Sequence, residues 1–365
     1  LKKEKINEIK ILLKTFLGSL KTIYLIRNWS SFLGWFLCIY QYNQYLKYYS
    51  VIRKFKNLKI AVIDNDSSCP KTLLLAFGKN NIKTISTQER FIRTYSQSYI
   101  DQTFFSVILD TYYVASEFSA NIIKNSKNHY IKNIIPVGQN KCDYIALYKN
   151  SDAPEEIIKA KKEGKKILVA LGHHTSNYWF ESSIAFVNSW SAEINFLEDM
   201  IKLSKNLENT SIIIRYKTLD WSDNQYFKDI LNKVQECKNI IISNNYNESY
   251  YSYKLCAHAD LVVAKHTSLA DECLSEDIPV IFYEYTHNMQ KIKLLNGNNY
   301  LPSELICHNF EDLCHKSKSI LHTNSSKLIE VVKKINNKIY YVKETKNVKQ
   351  KILNDLENQL SVNKI

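Results

Sequence analysis

The stretch HADLVVAKHTSLADECLSEDIPVIFYEY, residues 258–285, decides the fold. It contains two apolar runs, 260–264 and 279–283, which have the length of buried strands and are too short for helices. The polar turn between them leads into a short helix predicted over 268–275. A strand, a turn, a helix and a second strand in this order form the unit of a parallel sheet, so the sequence predicts an α/β fold.

The start of this helix carries side chains suited to ligand binding. Thr267 or Ser268 can cap the helix, and Ser268 with Asp271 matches a capping box. Ligands of open α/β sheets bind beyond the carboxyl ends of the strands, where helix N-termini present free N–H groups. Hydroxyls there can hold a phosphate, and Glu272, one turn further on, can hold a ribose diol. We therefore predict a nucleotide site at His266, Thr267, Ser268 and Glu272; a merely well-capped helix, with Glu272 in a surface pair, is the alternative.

The alternation of strands and helices extends on both sides of this stretch and falls into two series. The first series has elements predicted at 59–63, 71–79, 82–86, 112–115, 117–125 and 134–137. The second has them at 166–171, 193–206, 211–215, 224–236, 239–243, 247–257, 261–264, 268–275, 280–283 and 304–307. Two such series predict two Rossmann-like domains that face a central cleft.

A polar segment at 146–164 is predicted to link the two domains. The predicted organisation is an N-terminal helical segment at 1–57, a first domain at 58–148, a second domain at 149–322 and a C-terminal helical tail at 323–365. The tail has helical periodicity and many lysines, and we expect it to cross back and brace the first domain.

The net charge of +13 is concentrated at the N-terminus. Residues 1–60 hold 12 Lys and Arg but only Glu4 and Glu8, whereas the rest of the chain is close to neutral. A nucleic-acid-binding enzyme usually spreads its positive charge over the fold, so no nucleic-acid partner is expected. The apolar part of this aromatic-rich segment, 32–40, is about half the ~20 residues needed to span a bilayer. The segment is predicted to lie on an anionic membrane surface; a helical layer packed on the first domain is the alternative.

The 8 cysteines form no Cys-x-x-Cys pair, and several lie in apolar runs. This pattern indicates buried thiols in a reducing compartment, not disulfides or a zinc site. The expected location is therefore the cytoplasm, with the chain peripheral on the inner face of the membrane.

Four parts of the chain together resemble the GT-B glycosyltransferases and the related polyglycerol-phosphate transferases of capsule and cell-wall synthesis. They are NNIKTISTQER (80–90), DTYYVASEFSANIIKNS and IIPVGQNKCDY (within 110–144), KKILVALGHHTSN (165–177) and the 258–285 stretch. The resemblance covers about 59–320. The glycerol-phosphate transferases usually show Gln-His-Gly and Arg-x-His-Pro where this chain has Gln88-Glu89-Arg90 and Arg215-Tyr216-Lys217. Both departures favour a sugar donor.

A loop after the first strand of the second domain is predicted to contact the donor's phosphates. Gly172 lets the backbone approach a phosphate, and His173, His174 and Thr175 supply hydrogen-bond donors. An ordinary loop with two solvated histidines is the alternative. The two histidines point to opposite sides of an extended segment, so a shared metal ion is not expected.

Arg215 and Lys217 are a second candidate group for phosphate binding. Alternate residues of an extended chain face the same way, so both side chains can point at one anion. A pair of surface cations bridged to neighbouring aspartates is the alternative reading of the same pattern.

Inverting sugar transfer needs a base on the acceptor hydroxyl, and positive potential at the leaving phosphate. The base is expected from the first domain, where the acceptor would lie. The candidates are Glu89 beside Arg90, the pair Asp64 and Asp66, and Glu117, with Glu89 the first choice and a structural Glu–Arg pair its alternative. The GT-B arrangement that the chain resembles needs no metal, so no metal and no cofactor are expected; the nucleotide-sugar is a substrate.

These features predict a glycosyltransferase that moves a sugar from a nucleotide-sugar to a glycan acceptor, which the basic N-terminal segment suggests is lipid-linked, as in capsule or lipopolysaccharide synthesis. One alternative is a CDP-glycerol glycerophosphotransferase or a transferase that uses a CMP-sugar such as Kdo or sialic acid. Another is a non-catalytic protein that binds a nucleotide or a sugar.

Overall fold

The protein folds as two parallel β-sheets covered by helices, with a helical hairpin ahead of the first sheet. Its structure, a computed structural model, describes residues 2–63, 69–88, 108–126, 130–139, 141–172, 190–264, 267–283, 301–322, 326–340, 342 and 347–361. Within these ranges the side chains of 2–8 and 326–329 are left undescribed.

The N-terminal sheet has four parallel strands among the described residues, in the order β1-β2-β3-β4. They are β1 (Ile60–Ile63), β2 (Lys83–Thr87), β3 (Ile108–Val114) and β4 (Tyr130–Pro136). The accompanying helices are α3 (Lys71–Lys79) and α4 (Glu117–Asn125). Leu74 of α3 and Ile123 of α4 are buried against this sheet. Ser116 caps α4, because its hydroxyl oxygen accepts the amide N–H of Ser119 at 3.1 Å.

The C-terminal sheet has six parallel strands in the described part of the chain, in the order β10-β9-β8-β5-β6-β7. They are β5 (Lys166–Leu171), β6 (Thr210–Arg215), β7 (Ile240–Ser243), β8 (Leu261–Ala264), β9 (Val280–Tyr283) and β10 (Ile306–Cys307). The strand order reverses between β5 and β8, which is the Rossmann arrangement. The predicted α/β fold with two Rossmann-like sheets is confirmed.

Helices bury both faces of the C-terminal sheet, and its strands are therefore almost continuously apolar. One face carries α7 (Trp190–Asn206), α8 (Lys228–Gln235) and α11 (Phe310–His322). The other carries α5 (Cys142–Lys149), α6 (Glu155–Lys162), α9 (Tyr251–Ala257), α10 (Ser268–Ser275) and α12 (Ser326–Ile339).

The 8 cysteines are free thiols, and the predicted burial is found for four of them. Cys142, Cys256, Cys273 and Cys307 are buried. Burial raises the pKa of the Cys307 thiol to about 12. Such thiols stay protonated at neutral pH, and a protonated thiol is a poor nucleophile.

The segment 146–164, which is predicted to link the two domains, is helical over most of its length, because α5 and α6 occupy it. The ring of Tyr144 in α5 stacks on that of Tyr250, with their centroids 4.0 Å apart. Ile157 of α6 is fully buried in the core of the second sheet. The polar residues of this segment lie on exposed faces of helices whose apolar sides pack inward.

The last helix, α13 (Val348–Ser361), returns to the N-terminal sheet, as the tail was expected to do. Val348 is 2% exposed and packs with Ile85 of β2 and Tyr113 of β3. The Tyr113 hydroxyl also donates to the carboxylate of Asp355 at 2.6 Å. The end of the chain therefore holds the first sheet through both apolar and polar contacts.

A helical hairpin of α1 (Lys2–Leu20) and α2 (Trp29–Ile52) precedes β1. Asn28 caps α2: its side chain accepts the Ser31 N–H at 2.8 Å, while the Ser31 hydroxyl oxygen accepts the Asn28 N–H at 2.8 Å. The end of α2 packs on α3 through Ile52, which is 6% exposed. None of the described helices is both long and apolar enough to cross a membrane.

Candidate functional site

The carboxyl edges of the two sheets meet at one apolar cluster. Ala115, which follows β3, belongs to the same cluster as Leu171 at the end of β5, Ala264 at the end of β8 and Leu269 in α10. The junction therefore lies beside the reversal of strand order, where Rossmann-like sheets bind their ligands. The polar side chains around this junction form the candidate site.

The N-terminus of α10 lies at this junction. Thr267 is the N-cap, and its hydroxyl oxygen accepts the Leu269 N–H at 3.3 Å. Ser268 is the first helical residue, and both hydroxyl residues are half-buried. The predicted capping box of Ser268 and Asp271 is wrong, because Asp271 is fully buried and accepts the Tyr340 hydroxyl at 2.6 Å. That bond ties α12 to α10 instead.

Glu272 lies one turn into α10 and is 1% exposed. Its carboxyl group lies close to the side chains of Tyr253 and Gln139. Burial raises the pKa of Glu272 to about 7, although these two polar neighbours and the charge of Lys141 act in the opposite direction. A carboxyl group with this pKa changes its charge near neutral pH, so new hydrogen-bond donors at the site would favour the carboxylate.

Glu272 and Gln139 each keep one buried oxygen without a hydrogen-bond partner. The two atoms are Oε2 of Glu272 and Oε1 of Gln139. A buried acceptor left unpaired costs about 1–3 kcal/mol, and each such group in a native fold calls for an explanation. A ribose has two hydroxyl groups on adjacent carbons, and each can donate a hydrogen bond to one of these two oxygens.

Gly172 provides the space for the ring of Tyr216, which directly follows the neighbouring strand β6. A Cβ at Gly172 would lie 2.0 Å from Cε1 of Tyr216. Tyr216 is 1% exposed and its hydroxyl donates to Glu193, so the ring has no room to move aside. The close approach at Gly172 is thus explained by packing, and its predicted contact with a phosphate stays a prediction.

We expect Gly172→Ala to destabilise the protein by about 3 kcal/mol, because the added methyl overlaps a ring in a packed core. Gly34→Ala in α2 is the matched control, since nothing lies within 4 Å of a Cβ there. Alanine favours a helix, so the control should raise stability by up to about 1 kcal/mol. Urea unfolding measures both variants, and an unchanged stability of Gly172→Ala would contradict this packing.

Arg215 and Lys217 differ in their surroundings. Arg215 is 5% exposed; its Nε donates to Oγ of Ser252 at 3.0 Å, and its guanidinium lies 4.2 Å from the centroid of the Tyr246 ring. Lys217 is exposed. The guanidinium is therefore held against α9, and the predicted convergence of both cations on one phosphate stays a prediction.

Glu117 is the one predicted base that the described residues include. It is the first residue of α4, half-buried, and follows Ala115 by two positions at the junction of the sheets. The other predicted bases and part of the predicted donor loop lie outside the described residues, namely Asp64, Asp66, Glu89, His173, His174, Thr175 and His266.

The contacts of Glu272 include two residues that the sequence analysis does not single out. Gln139 follows Gly138 at the end of β4, and a polar residue after a strand end is a signal that could have found it. Tyr253 is one of 25 tyrosines and lies within α9, so nothing in its sequence position distinguishes it. Its role depends on how α9 packs beside α10.

Comparisons with known proteins identify the fold to which this arrangement of strands and helices belongs. No family model and no curated protein matches the chain. Solved structures do match. The S. aureus MnaA–UDP complex is 11% identical with a TM-score of 0.57, over 88% of this chain and 79% of that chain. UDP-GlcNAc 2-epimerase from Neisseria meningitidis, bound to UDP-GlcNAc, is 14% identical with a TM-score of 0.54, over 88% and 82%.

The chain has the GT-B fold. The expectation from the sequence resemblance is thereby confirmed at the level of architecture. At identities this low the likeness establishes the fold alone, since one fold supports many activities. The activity has to be argued from the site.

Proposed function

We propose that the chain is a glycosyltransferase that moves a sugar from a nucleotide-sugar donor to a glycan acceptor. The observation that carries the proposal is the pair of unpartnered oxygens on Glu272 and Gln139 beside the N-terminus of α10. The pair lies near the strand reversal of a Rossmann-like sheet, the usual position of a bound nucleotide. The two similar structures hold UDP and UDP-GlcNAc, which supports the same class of ligand here.

The donor's ribose is assigned to these two oxygens. Its hydroxyls donate to Oε2 of Glu272 and to Oε1 of Gln139. Both atoms are covered, so Gln139 and α10 must separate to admit the sugar ring. Because Gln139 follows β4 of the first sheet and Glu272 belongs to the second, this separation is a relative movement of the two sheets.

The donor's phosphate is assigned to the N-terminus of α10. The free N–H groups of the first turn and the hydroxyls of Thr267 and Ser268 would bind its oxygens. Lys217, which is exposed, can add positive charge as the leaving group departs. These groups supply the positive potential that transfer needs, so the proposed mechanism uses no metal ion.

The base that takes the proton of the acceptor hydroxyl is assigned to the first domain. Glu89 remains the first choice, with Asp64 and Glu117 as the other candidates. Changing the true base to its amide should leave nucleotide binding intact and lower turnover on the order of 10²–10⁴-fold. The acceptor is proposed to be lipid-linked, with the chain peripheral on the inner face of a membrane, because the basic N-terminal segment suits an anionic surface.

A nucleotide-sugar 2-epimerase is the second candidate function, since the Neisseria meningitidis structure is an enzyme of that activity. An epimerase converts the nucleotide-sugar without an acceptor, whereas a transferase needs an acceptor to build its product. Incubation with UDP-GlcNAc alone, followed by NMR, separates the two. Accumulation of the 2-epimer would favour the second candidate.

The first test is a thermal-shift panel of UDP, GDP, CDP and CMP. We expect one of these nucleotides to raise the melting temperature, because a ligand at 100 times its Kd stabilises the native state by about 2.7 kcal/mol. UDP or GDP fits a nucleotide-sugar donor, whereas CDP or CMP points to the glycerophosphate and CMP-sugar alternatives. If none of the four nucleotides raises the melting temperature, the proposal is contradicted.

A further inference from the structure

The hairpin of α1 and α2 is a well-defined element. The indole Nε1 of Trp35 in α2 donates to the hydroxyl of Thr22 at 3.0 Å, which closes the turn between the helices. Gly18 lets the helices approach, because a Cβ there would lie 3.1 Å from the ring of Tyr42. The hairpin therefore has its own packing, and its outer surface is a fixed feature of the fold.

Each helix of the hairpin carries an exposed apolar stripe. In α1 the stripe is Ile9, Leu13, Phe16 and Leu20, and in α2 it is Trp29, Leu33, Phe36 and Tyr40. The spacing of four, three and four residues puts each set on one helix face. Every one of these side chains is at least 47% exposed.

The turn between the helices continues the apolar surface. Ile23, Tyr24 and Leu25 are 52%, 75% and 51% exposed, and Trp29, where α2 begins, is 72% exposed. Surface helices of globular proteins turn such stripes toward a core. Here the stripe faces solvent on both helices and across the turn, so we expect another surface to bind it.

The charge of the same segment indicates what kind of surface binds these stripes. From Ile9 to Ile63 the sequence has nine Lys and Arg and no Asp or Glu. Lys21 and Arg27 flank the turn and are exposed. A protein partner or a second copy would have to bring its own acidic residues, whereas an anionic bilayer offers phosphates and hydrocarbon at adjacent depths. The apolar stripes match the hydrocarbon of such a bilayer, and the Lys and Arg side chains match its phosphates.

We propose that the α1–α2 hairpin inserts its turn and its two apolar stripes into the surface of an anionic bilayer. Tyr24, Leu25 and Trp29 enter the boundary between headgroups and acyl chains, and the cations around them contact lipid phosphates. The proposal does not depend on the donor or on the reaction, so it stands or falls separately from the proposed transferase activity.

Flotation of the full chain with vesicles tests the proposal. We expect binding to phosphatidylcholine vesicles that contain phosphatidylglycerol, with weaker binding to phosphatidylcholine alone and in high salt. The triple variant Tyr24→Ser, Leu25→Ser, Trp29→Ser should lower binding on the order of tenfold or more, because it removes the apolar anchors. Its melting temperature should stay unchanged, since these side chains are exposed.

The matched control changes three exposed apolar side chains elsewhere on the surface. Tyr130, Leu147 and Leu360 are 69%, 62% and 46% exposed, and their triple change to serine should leave vesicle binding unchanged. Brominated lipids should quench the fluorescence of Trp29, and Trp29→Phe should lose that quenching while still binding vesicles.

Three outcomes would overturn the proposal. They are failure of the wild-type chain to bind anionic vesicles, equal losses in the two triple variants, and quenching that Trp29→Phe leaves unchanged. A dimer that the turn variant converts to monomers, without any vesicle binding, would show that a second copy covers the stripes instead.

Discussion

Glu272→Gln is expected to weaken binding of the preferred nucleotide by roughly twofold to thirtyfold, because a hydrogen bond to a charged acceptor is worth about 1.5–3 kcal/mol against about 1 for a neutral one. The amide also presents an N–H₂ group where the ribose presents its own donors. Isothermal titration with the nucleotide selected by the thermal-shift panel measures the change.

The same group gives nucleotide binding a pH dependence. The pKa of Glu272 is raised to about 7, and donation from the ribose hydroxyls favours its carboxylate form. Affinity should therefore increase as the pH rises through about 7 and level off above it. Glu272→Gln has no such titration, so the pH dependence of its affinity is that of the nucleotide's phosphate, whose second pKa is about 6, and the difference between the two profiles gives the contribution of Glu272.

The stability of the unliganded protein should change in the opposite direction. The pKa of Glu272 rises from the ordinary glutamate value of 4.5 to about 7 in the fold, so the folded state holds a proton that the unfolded chain has lost. The resulting stability is present below about pH 4.5 and is lost as the pH rises through 7, a change of about 3 kcal/mol. Urea unfolding of wild type should show this contribution, and Glu272→Gln should lack it.

Asp199→Asn is the matched control for Glu272→Gln. Asp199 is 2% exposed and accepts the Tyr283 hydroxyl at 2.6 Å on the other face of the C-terminal sheet. It tests the effect of losing a buried carboxylate away from the junction. Nucleotide affinity and its pH profile should survive this change; equal losses in both variants would remove the specific role of Glu272.

Val348→Asp is expected to destabilise the N-terminal domain by roughly 3–5 kcal/mol, the range for an unpaired charge placed in a packed core. Val348 fills the space above Gly138, where a Cβ would lie 2.7 Å from Cγ2 of Val348. The new carboxylate would also face Asp143, whose carboxylate oxygens accept the N–H groups of Val348 and Lys349 at 3.3 and 3.2 Å. Both effects act on the contact by which α13 holds the first sheet.

Leu353→Asp in the same helix is the control, because Leu353 is 41% exposed. It should change stability by less than about 0.5 kcal/mol. Urea unfolding compares the two variants, and hydrogen exchange of the β2 and β3 amides locates the loss. If both variants unfold alike, α13 does not brace the sheet.

Helices and strands with a clear local pattern were predictable from the sequence. The predicted 71–79, 117–125, 166–171, 261–264 and 280–283 coincide with observed helices and strands. The third and fourth strands were predicted too short, at 112–115 and 134–137, because polar residues interrupt their apolar runs. Asp110 in β3 accepts the Thr84 N–H at 2.8 Å and pairs with Lys132 of β4, and neither contact is visible from spacing.

The candidate site was predictable only in its local part. Hydroxyls and an acid at the start of a helix after a buried strand could be recognised because they lie within a few residues of one another. The polar surroundings of Glu272 include Gln139 and Tyr253, which come from other elements of the fold. Likewise the sequence predicts a phosphate contact at Gly172, because the Tyr216 ring that fills its space follows another strand and is not visible from the local pattern.

The most direct test is a crystal structure of the protein with the nucleotide that stabilises it most. We expect its ribose hydroxyls within hydrogen-bond distance of Oε2 of Glu272, with its phosphate at the N–H groups that begin α10 and the Gln139 contact opened. A nucleotide bound at another edge of either sheet, with Glu272 still close to Gln139, would contradict the account.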